Sequence, residues 1–194
     1  MKGFFPNTKF PRILKVLHFR LHGRFSPRAV RLLAVLCSFS GGLPTGAPTS
    51  PAIANQVLSR ADRSIRKAAE TKNVCYTRYA DDLTFSGDGH EPVEILPFVE
   101  EVVGQLGYQL DPKKTNFFRK GRRQCVTGLV VNQKPNLAKP LRRRPRAAVH
   151  RYVHQKPMEW HGRPMNLTQL LGRLGFLAQT QPEEAKRLKT LIQA

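Results

Sequence analysis

Apolar positions recur at two different spacings along this chain, and the change of spacing divides it into elements. Ile13, Leu14, Val16, Leu17 and Leu21 form a helical stripe that stops at Gly23. Ser26-Pro27 then supplies an N-cap and a first-turn proline for a helix through Val30, Leu33 and Leu36, which Gly41-Gly42 ends. Beyond a loop over residues 43–48, Thr49 or Ser50 can cap a helix with Pro51 in its first turn. Its apolar stripe is Ile53, Val57, Leu58, Ala61 and Ile65, and it should end near Thr71. Residues 74–85 alternate, are rich in Val, Tyr and Thr, and carry two acids in the middle, which predicts two strands joined by a tight acidic turn. Phe4-Phe5-Pro6-Asn7 reads as the end of a strand running into a turn.

From Pro92, the set Ile95, Phe98, Val99, Val102, Val103 and Leu106 predicts one amphipathic helix closed by Gly107. Residues 124–131 form a second β-rich piece bending at Gly128, and residues 134–136 make the next turn. Helix formers and arginines then dominate, with helices expected over 142–154, 166–179 and 182–192, separated by proline-containing or polar joints. The expected architecture is α+β, a mixed unit over residues 1–132 followed by a helical unit over 133–194.

Charge sharpens this outline. The net charge is +20 over 194 residues, with no Asp or Glu in residues 1–61 or 112–151. Such imbalance points to a polyanionic partner, nucleic acid first and an anionic membrane surface second. No apolar run is long enough to cross a bilayer, so the expected location is cytoplasmic. Cys37, Cys75 and Cys125 are widely spaced and odd in number, which fits reduced core residues better than a disulfide framework or a zinc site. His150 and His154 have helical i, i+4 spacing but no Cys or carboxylate near them in sequence.

Within so basic a chain, the adjacent acids of Tyr79-Ala80-Asp81-Asp82 repel one another and call for a positive partner. A pair of Mg²⁺ ions is the obvious one, and carboxylate-held hard cations suit nucleotidyl transfer. An Asp-Asp pair alone is more often part of an ordinary turn or cap, so its neighbours carry the weight. The string Tyr76-Thr77-Arg78-Tyr79-Ala80-Asp81-Asp82-Leu83-Thr84-Phe85-Ser86 closely resembles the metal-binding hairpin of retron and related bacterial reverse transcriptases. Upstream, Leu43-Pro44-Thr45-Gly46-Ala47-Pro48-Thr49-Ser50-Pro51 resembles their template and nucleotide-positioning loop. Downstream, residues 107–115 with Lys114-Thr115, the primer-grip-like Val126-Thr127-Gly128-Leu129-Val130-Val131-Asn132 and the thumb-like Leu171-Gly172-Arg173-Leu174-Gly175-Phe176 extend the resemblance over essentially the whole chain.

The resemblance implies an RNA-directed DNA polymerase in which residues 1–132 are a partial palm, a small antiparallel sheet backed by helices, and residues 133–194 a helical thumb. Asp81 would be the principal Mg²⁺ ligand and Asp82 a helper, because neighbouring side chains of an extended segment face opposite ways. Phe5 would gate against a 2′-hydroxyl. Thr45, Gly46, Tyr79 and Ala80 would lie at the nucleotide and template, with Gly46 allowing close backbone approach. Lys114 would be a cation near the triphosphate. Arg142, Arg143, Arg144, Arg146 and Arg151 would grip phosphates of the template–primer duplex or of a dedicated structured RNA. The implied partners are an RNA template, a DNA primer and deoxynucleoside triphosphates, with no membrane.

Two departures qualify the match. Thr45 stands where the family usually has Gln. Met1-Lys2-Gly3-Phe4-Phe5-Pro6-Asn7 aligns with positions immediately after the family's first catalytic aspartate, and the fingers that precede that acid have no counterpart here. Impaired activity is therefore expected of this chain by itself. Three explanations stay open: a misassigned start, a truncated or split gene, or a second chain supplying fingers and acid; the expectation favours a truncated or misassigned start. The rival from another class is a non-catalytic RNA-binding remnant, and a ribosomal-type basic protein, which has no need of paired acids, is more distant.

Overall fold

The computed structural model describes residues 1–193. Two compact units divide between Asn116 and Phe117. The boundary lies earlier than the expected one near residue 132, because Leu129 and Leu137 of the β-rich piece pack with the helices that follow them.

The first unit begins with α1 (Phe4–Asn7), α2 (Phe10–Leu21), α3 (Pro27–Leu36) and α4 (Ser50–Thr71). The hairpin β1 (Cys75–Tyr79) and β2 (Asp82–Ser86) follows, and then α5 (Glu91–Glu94) and α6 (Leu96–Gln105). The long α4 is the axis of this unit and packs against α2, α6 and β1. Its stripe Ile53, Val57, Leu58, Ala61 and Ile65 is buried with Phe4, Ile13, Leu43, Val99 and Val103. Each fully buried aliphatic side chain of this kind contributes roughly 1.5–3 kcal/mol. Tyr108 closes the core, sharing a buried 2.8 Å hydrogen bond with the Thr8 hydroxyl.

Three local expectations change. Residues Phe4–Asn7 form a helical turn rather than a strand end. Gly3 enters it in the left-handed region, and Pro6 sits in the first turn, where its missing N–H leaves no helical acceptor unpaired. The single helix expected after Pro92 is two pieces, since Pro97 falls where a continuous helix needs an amide. Neither Thr49 nor Ser50 caps α4 through its side chain; Ser50 Oγ instead donates to the Pro44 carbonyl at 2.7 Å and ties the preceding loop to the helix. Ser26 does cap α3, accepting from the Ala29 amide.

Gly42 shows how closely that loop approaches α1. A Cβ there would lie 2.5 Å from the Pro6 carbonyl oxygen, a backbone atom that cannot swing aside. We expect Gly42→Ala to destabilise by about 2 kcal/mol in urea unfolding, the range of overpacking a tight contact. Gly104 sits in α6 with open space around it and should respond oppositely, Gly104→Ala stabilising by about 0.5–1 kcal/mol.

The second unit opens with a three-stranded antiparallel sheet, β3 (Cys125–Val126), β4 (Leu129–Val130) and β5 (Asn136–Leu137). Thr127 and Gly128 make its first turn, both with positive φ. Helices α7 (Lys139–Val153), α8 (Leu167–Ala178) and α9 (Pro182–Gln193) pack around Val149, Leu170, Leu174, Leu177 and Leu188. Asn166 and Gln169 form a reciprocal capping box at the start of α8. Between α7 and α8 lies a hairpin that the sequence reading misses, β6 (Glu159–Trp160) and β7 (Arg163–Pro164), turning at His161-Gly162. Among the described residues no helix is long and apolar enough to cross a membrane.

Candidate active site

The acidic turn is a two-residue hairpin loop. β1 and β2 pair in register from Cys75↔Ser86 to Tyr79↔Asp82, leaving Ala80 and Asp81 as the connection. Ala80 has φ of +51°, the left-handed conformation that so short a loop requires and that an Ala adopts only at some cost. Strand alternation puts Tyr76, Arg78, Leu83 and Phe85 on the face toward the core, with the Tyr76 and Phe85 rings stacked at 5.1 Å. Tyr79 and Asp82 belong to the opposite, exposed face, and the Asp81 side chain is 29% exposed at the tip.

A charged tether fixes this tip. Arg78 donates in fork geometry to Asp62 of α4, Nε to Oδ1 at 2.8 Å and Nη2 to Oδ2 at 2.6 Å. Its Nη1 donates to Asn55 Oδ1 at 3.0 Å and to the Ala80 carbonyl at 2.7 Å, so one guanidinium joins the helix to the strained turn residue. Tyr76 Oη adds a 2.8 Å hydrogen bond to Asp62 Oδ1. Burial first, and then that bond to Asp62, hold the Tyr76 hydroxyl well above the usual tyrosine range, so it stays a donor. The hydrogen bond to Asp62 likewise raises Arg78.

Sequence reasoning missed this tether. A signal existed, because Asp62 lies on the α4 face between Leu58 and Ile65, where an acid calls for a cationic partner.

Residues 1–8 link several of the expected site segments. The Met1 amino group donates to the Asp81 carbonyl at 2.9 Å and lies 3.8 Å from Asp81 Oδ2. The Lys2 amide donates to Gln109, and the Leu43 amide donates to the Phe5 and Thr8 carbonyls. Phe5 thus sits where the 43–49 loop meets α1; its half-buried ring packs edge-on against Phe4 at 5.5 Å. Thr45 and Gly46 are exposed on that loop. Gly46 has φ of +88° with open space where a Cβ would point, so its backbone conformation, not crowding by the protein, demands glycine. Lys114 is exposed on the turn over residues 111–115, which its own amide closes onto the Asp111 carbonyl.

The donor chemistry at the tip suits a hard divalent cation. Mg²⁺ takes oxygen ligands, commonly one or two carboxylates with water and substrate phosphates completing the shell, and Asp81 and Asp82 offer that partial set. Among the described residues there is no ready-made cluster of three or more His, Cys, Asp or Glu side chains.

In the second unit the five arginines expected to grip phosphates are not equivalent. Arg146 Nε is engaged at 2.7 Å by Glu184 of α9, and Arg151 lies 3.2 Å from Glu159. The Glu184 carboxyl sits below its usual range: burial acts to raise it, but Arg187 and Arg146 outweigh burial. Arg144 hydrogen-bonds the His161 ring and lies over Trp160, as Arg173 does at 4.7 Å. Arg143 is exposed and Arg142 half-buried.

Comparison with known proteins matches residues 34–164 to the family described as reverse transcriptase (RNA-dependent DNA polymerase). The chain is 34% identical to the retron Mx65 reverse transcriptase of Myxococcus xanthus, over 97% of this chain and 47% of that protein. Against the retron Mx162 reverse transcriptase of the same organism the identity is 35%, covering 96% and 44%. For the retron Ec86 reverse transcriptase of Escherichia coli it is 29%, covering 99% and 58%. The chain spans about half the length of the curated relatives it matches.

Proposed function

This chain belongs to the reverse transcriptase (RNA-dependent DNA polymerase) family, and on that premise we propose that it adds deoxynucleotides to a primer on an RNA template. The first unit acts as the palm and the second as the thumb. The observation that carries this reading is the hairpin tip, where Asp81 of the Ala80-Asp81 turn and Asp82 at the start of β2 stand side by side on a loop locked to α4 by Arg78.

In the reaction a primer 3′-hydroxyl attacks the α-phosphorus of a deoxynucleoside triphosphate. A phosphodiester bond forms, the bond to pyrophosphate breaks, and the hydroxyl proton passes to solvent. Asp81 and Asp82 would hold Mg²⁺, whose positive charge favours the deprotonated 3′-oxygen and the leaving pyrophosphate. Lys114 serves as a cation beside the triphosphate and a proton source for pyrophosphate. Phe5 disfavours a 2′-hydroxyl, and Thr45, Gly46, Tyr79 and Ala80 position nucleotide and template. Arg142, Arg143, Arg144, Arg146 and Arg151 hold the duplex, with shape and 2′-hydroxyl contacts favouring RNA. A dedicated structured RNA and a second chain supplying fingers are further partners on this reading.

The net charge of +20 supports one rival, RNA binding without catalysis. Primer extension separates the two. Deoxynucleotide incorporation on an RNA template, dependent on Mg²⁺ and lost in Asp81→Ala, is the expected result. Tight, salt-sensitive RNA binding with no incorporation would establish the rival instead.

A further inference from the structure

Helix α3 is apolar on two opposite sides. Val30 and Ala34 are buried as α3 packs on α2. Leu32, Val35 and Leu36, at i, i+3 and i+4, form a second stripe that lies in solvent, with Leu36 72% exposed, and Phe39 just past the helix end is 73% exposed. A helix apolar all round is ordinarily covered all round, and an exposed apolar patch on a soluble protein marks an interaction surface.

Charge selects what can cover that stripe. Arg28 and Arg31 flank it, exposed and, among the described residues, without an ion pair. Both stand near the electropositive N-terminal end of α3, where carboxylates from a partner answer the cations and the helix dipole together. Nucleic acid brings anions but no apolar side chains to set against Leu32, Val35 and Leu36. The covering surface therefore combines acids with exposed apolar groups, and the chain owns one. Of its 13 acids five fall in residues 88–101, which hold no Lys or Arg. Glu100 and Glu101 are exposed on α6, as are Phe98 on the same helix and Val93 on α5. Phe98 and Glu101 are three residues apart and share a helix face. Glu94 is already paired with Lys72 at 3.0 Å, whereas among the described residues Glu100 and Glu101 make no ion pair. Both surfaces are exposed in one molecule, so neither covers the other.

We propose that a second copy of this chain covers α3: Leu32, Val35 and Leu36, with Arg28 and Arg31 beside them, seat the Val93, Phe98, Glu100 and Glu101 surface of the next copy. The two surfaces are unlike, so the contact is made twice in a two-fold dimer or once per pair in a head-to-tail array. The net charge of +20 repels copies at long range. At about 0.15 M salt that field is screened beyond ~8 Å, while the facing charges meet at contact. The inference is independent of the polymerase reading above.

The test is sedimentation velocity on the full chain, freed of nucleic acid by nuclease digestion, over a range of protein concentrations. The wild type should associate, and Leu36→Asp should raise the concentration needed at least about ten-fold, the effect of losing one central apolar anchor. Arg28→Glu/Arg31→Glu and Glu100→Arg/Glu101→Arg should each sediment as a monomer, because each sets like charges against one another. An equimolar mixture of these two variants should associate again, since every reversed surface then meets its opposite. All five positions are exposed, so far-UV circular dichroism should show the fold unchanged in each variant. A wild type that stays monomeric throughout, or a mixture that fails to recover, would overturn the proposal. So would a monomer that sediments with phosphatidylglycerol-containing vesicles and loses that binding in Leu36→Asp, which would give the stripe to an anionic membrane.

Discussion

Asp81→Asn should lower primer extension by at least about 10²-fold, the loss typical when one strong electrostatic contact to the reacting oxygens is removed. The substitution keeps side-chain volume and removes one negative charge. Asp81 is partly exposed at the loop tip, and among the described residues its ion pair is with the Met1 ammonium at 3.8 Å, so stability should stay within about 0.5 kcal/mol. Asp82→Asn should cost less, since its side chain leaves the hairpin on the face opposite Tyr76 and Arg78 and is more exposed. Mn²⁺ binding followed by water-proton relaxation should rank the variants in the same order without requiring turnover. A fully active Asp81→Asn protein would remove the hairpin from the chemistry.

Much of this arrangement is legible along the chain because the signals are local. The Ser26-Pro27 start of α3 and the α4 stripe from Ile53 to Ile65 each belong to a single helix, and the structure keeps both. The hairpin is legible for the same reason, a short alternating run around a polar tip. What escapes is non-local or too short to have a period. β6 and β7 are two residues each, so no alternation develops, and only His161-Gly162 marks the turn. The unit boundary depends on Leu129 and Leu137 packing with helices that begin further along the chain. Charge counting treats the arginines of the second unit alike, yet Arg146 and Arg151 are already answered by glutamates.

The same non-locality explains why the Arg78 tether carries the second large effect. Arg78→Ala should destabilise the protein by about 3 kcal/mol, because it removes a fork-geometry pair and leaves the Asp62 carboxylate partly buried without its cation. The Arg78 side chain is only 9% exposed, so water cannot readily replace it. Arg78→Lys keeps the charge but cannot reach both Asp62 oxygens, Asn55 and the Ala80 carbonyl at once, so its loss should be intermediate. Tyr76→Phe removes a single hydrogen bond to Asp62 and should cost about 1–2 kcal/mol. A urea-unfolding double-mutant cycle checks the argument: once Arg78 is Ala, Asp62→Ala should cost little or should recover stability, because the stranded acid is gone. Additive losses would mean that the two side chains act independently and that something else holds the Ala80 turn. With coupling present, Ala80 and Asp81 lose their anchor to α4 in Arg78→Ala. Mn²⁺ affinity at the tip should then fall in the Ala variant and partly recover in the Lys variant, a response that general loss of stability does not produce below the unfolding transition.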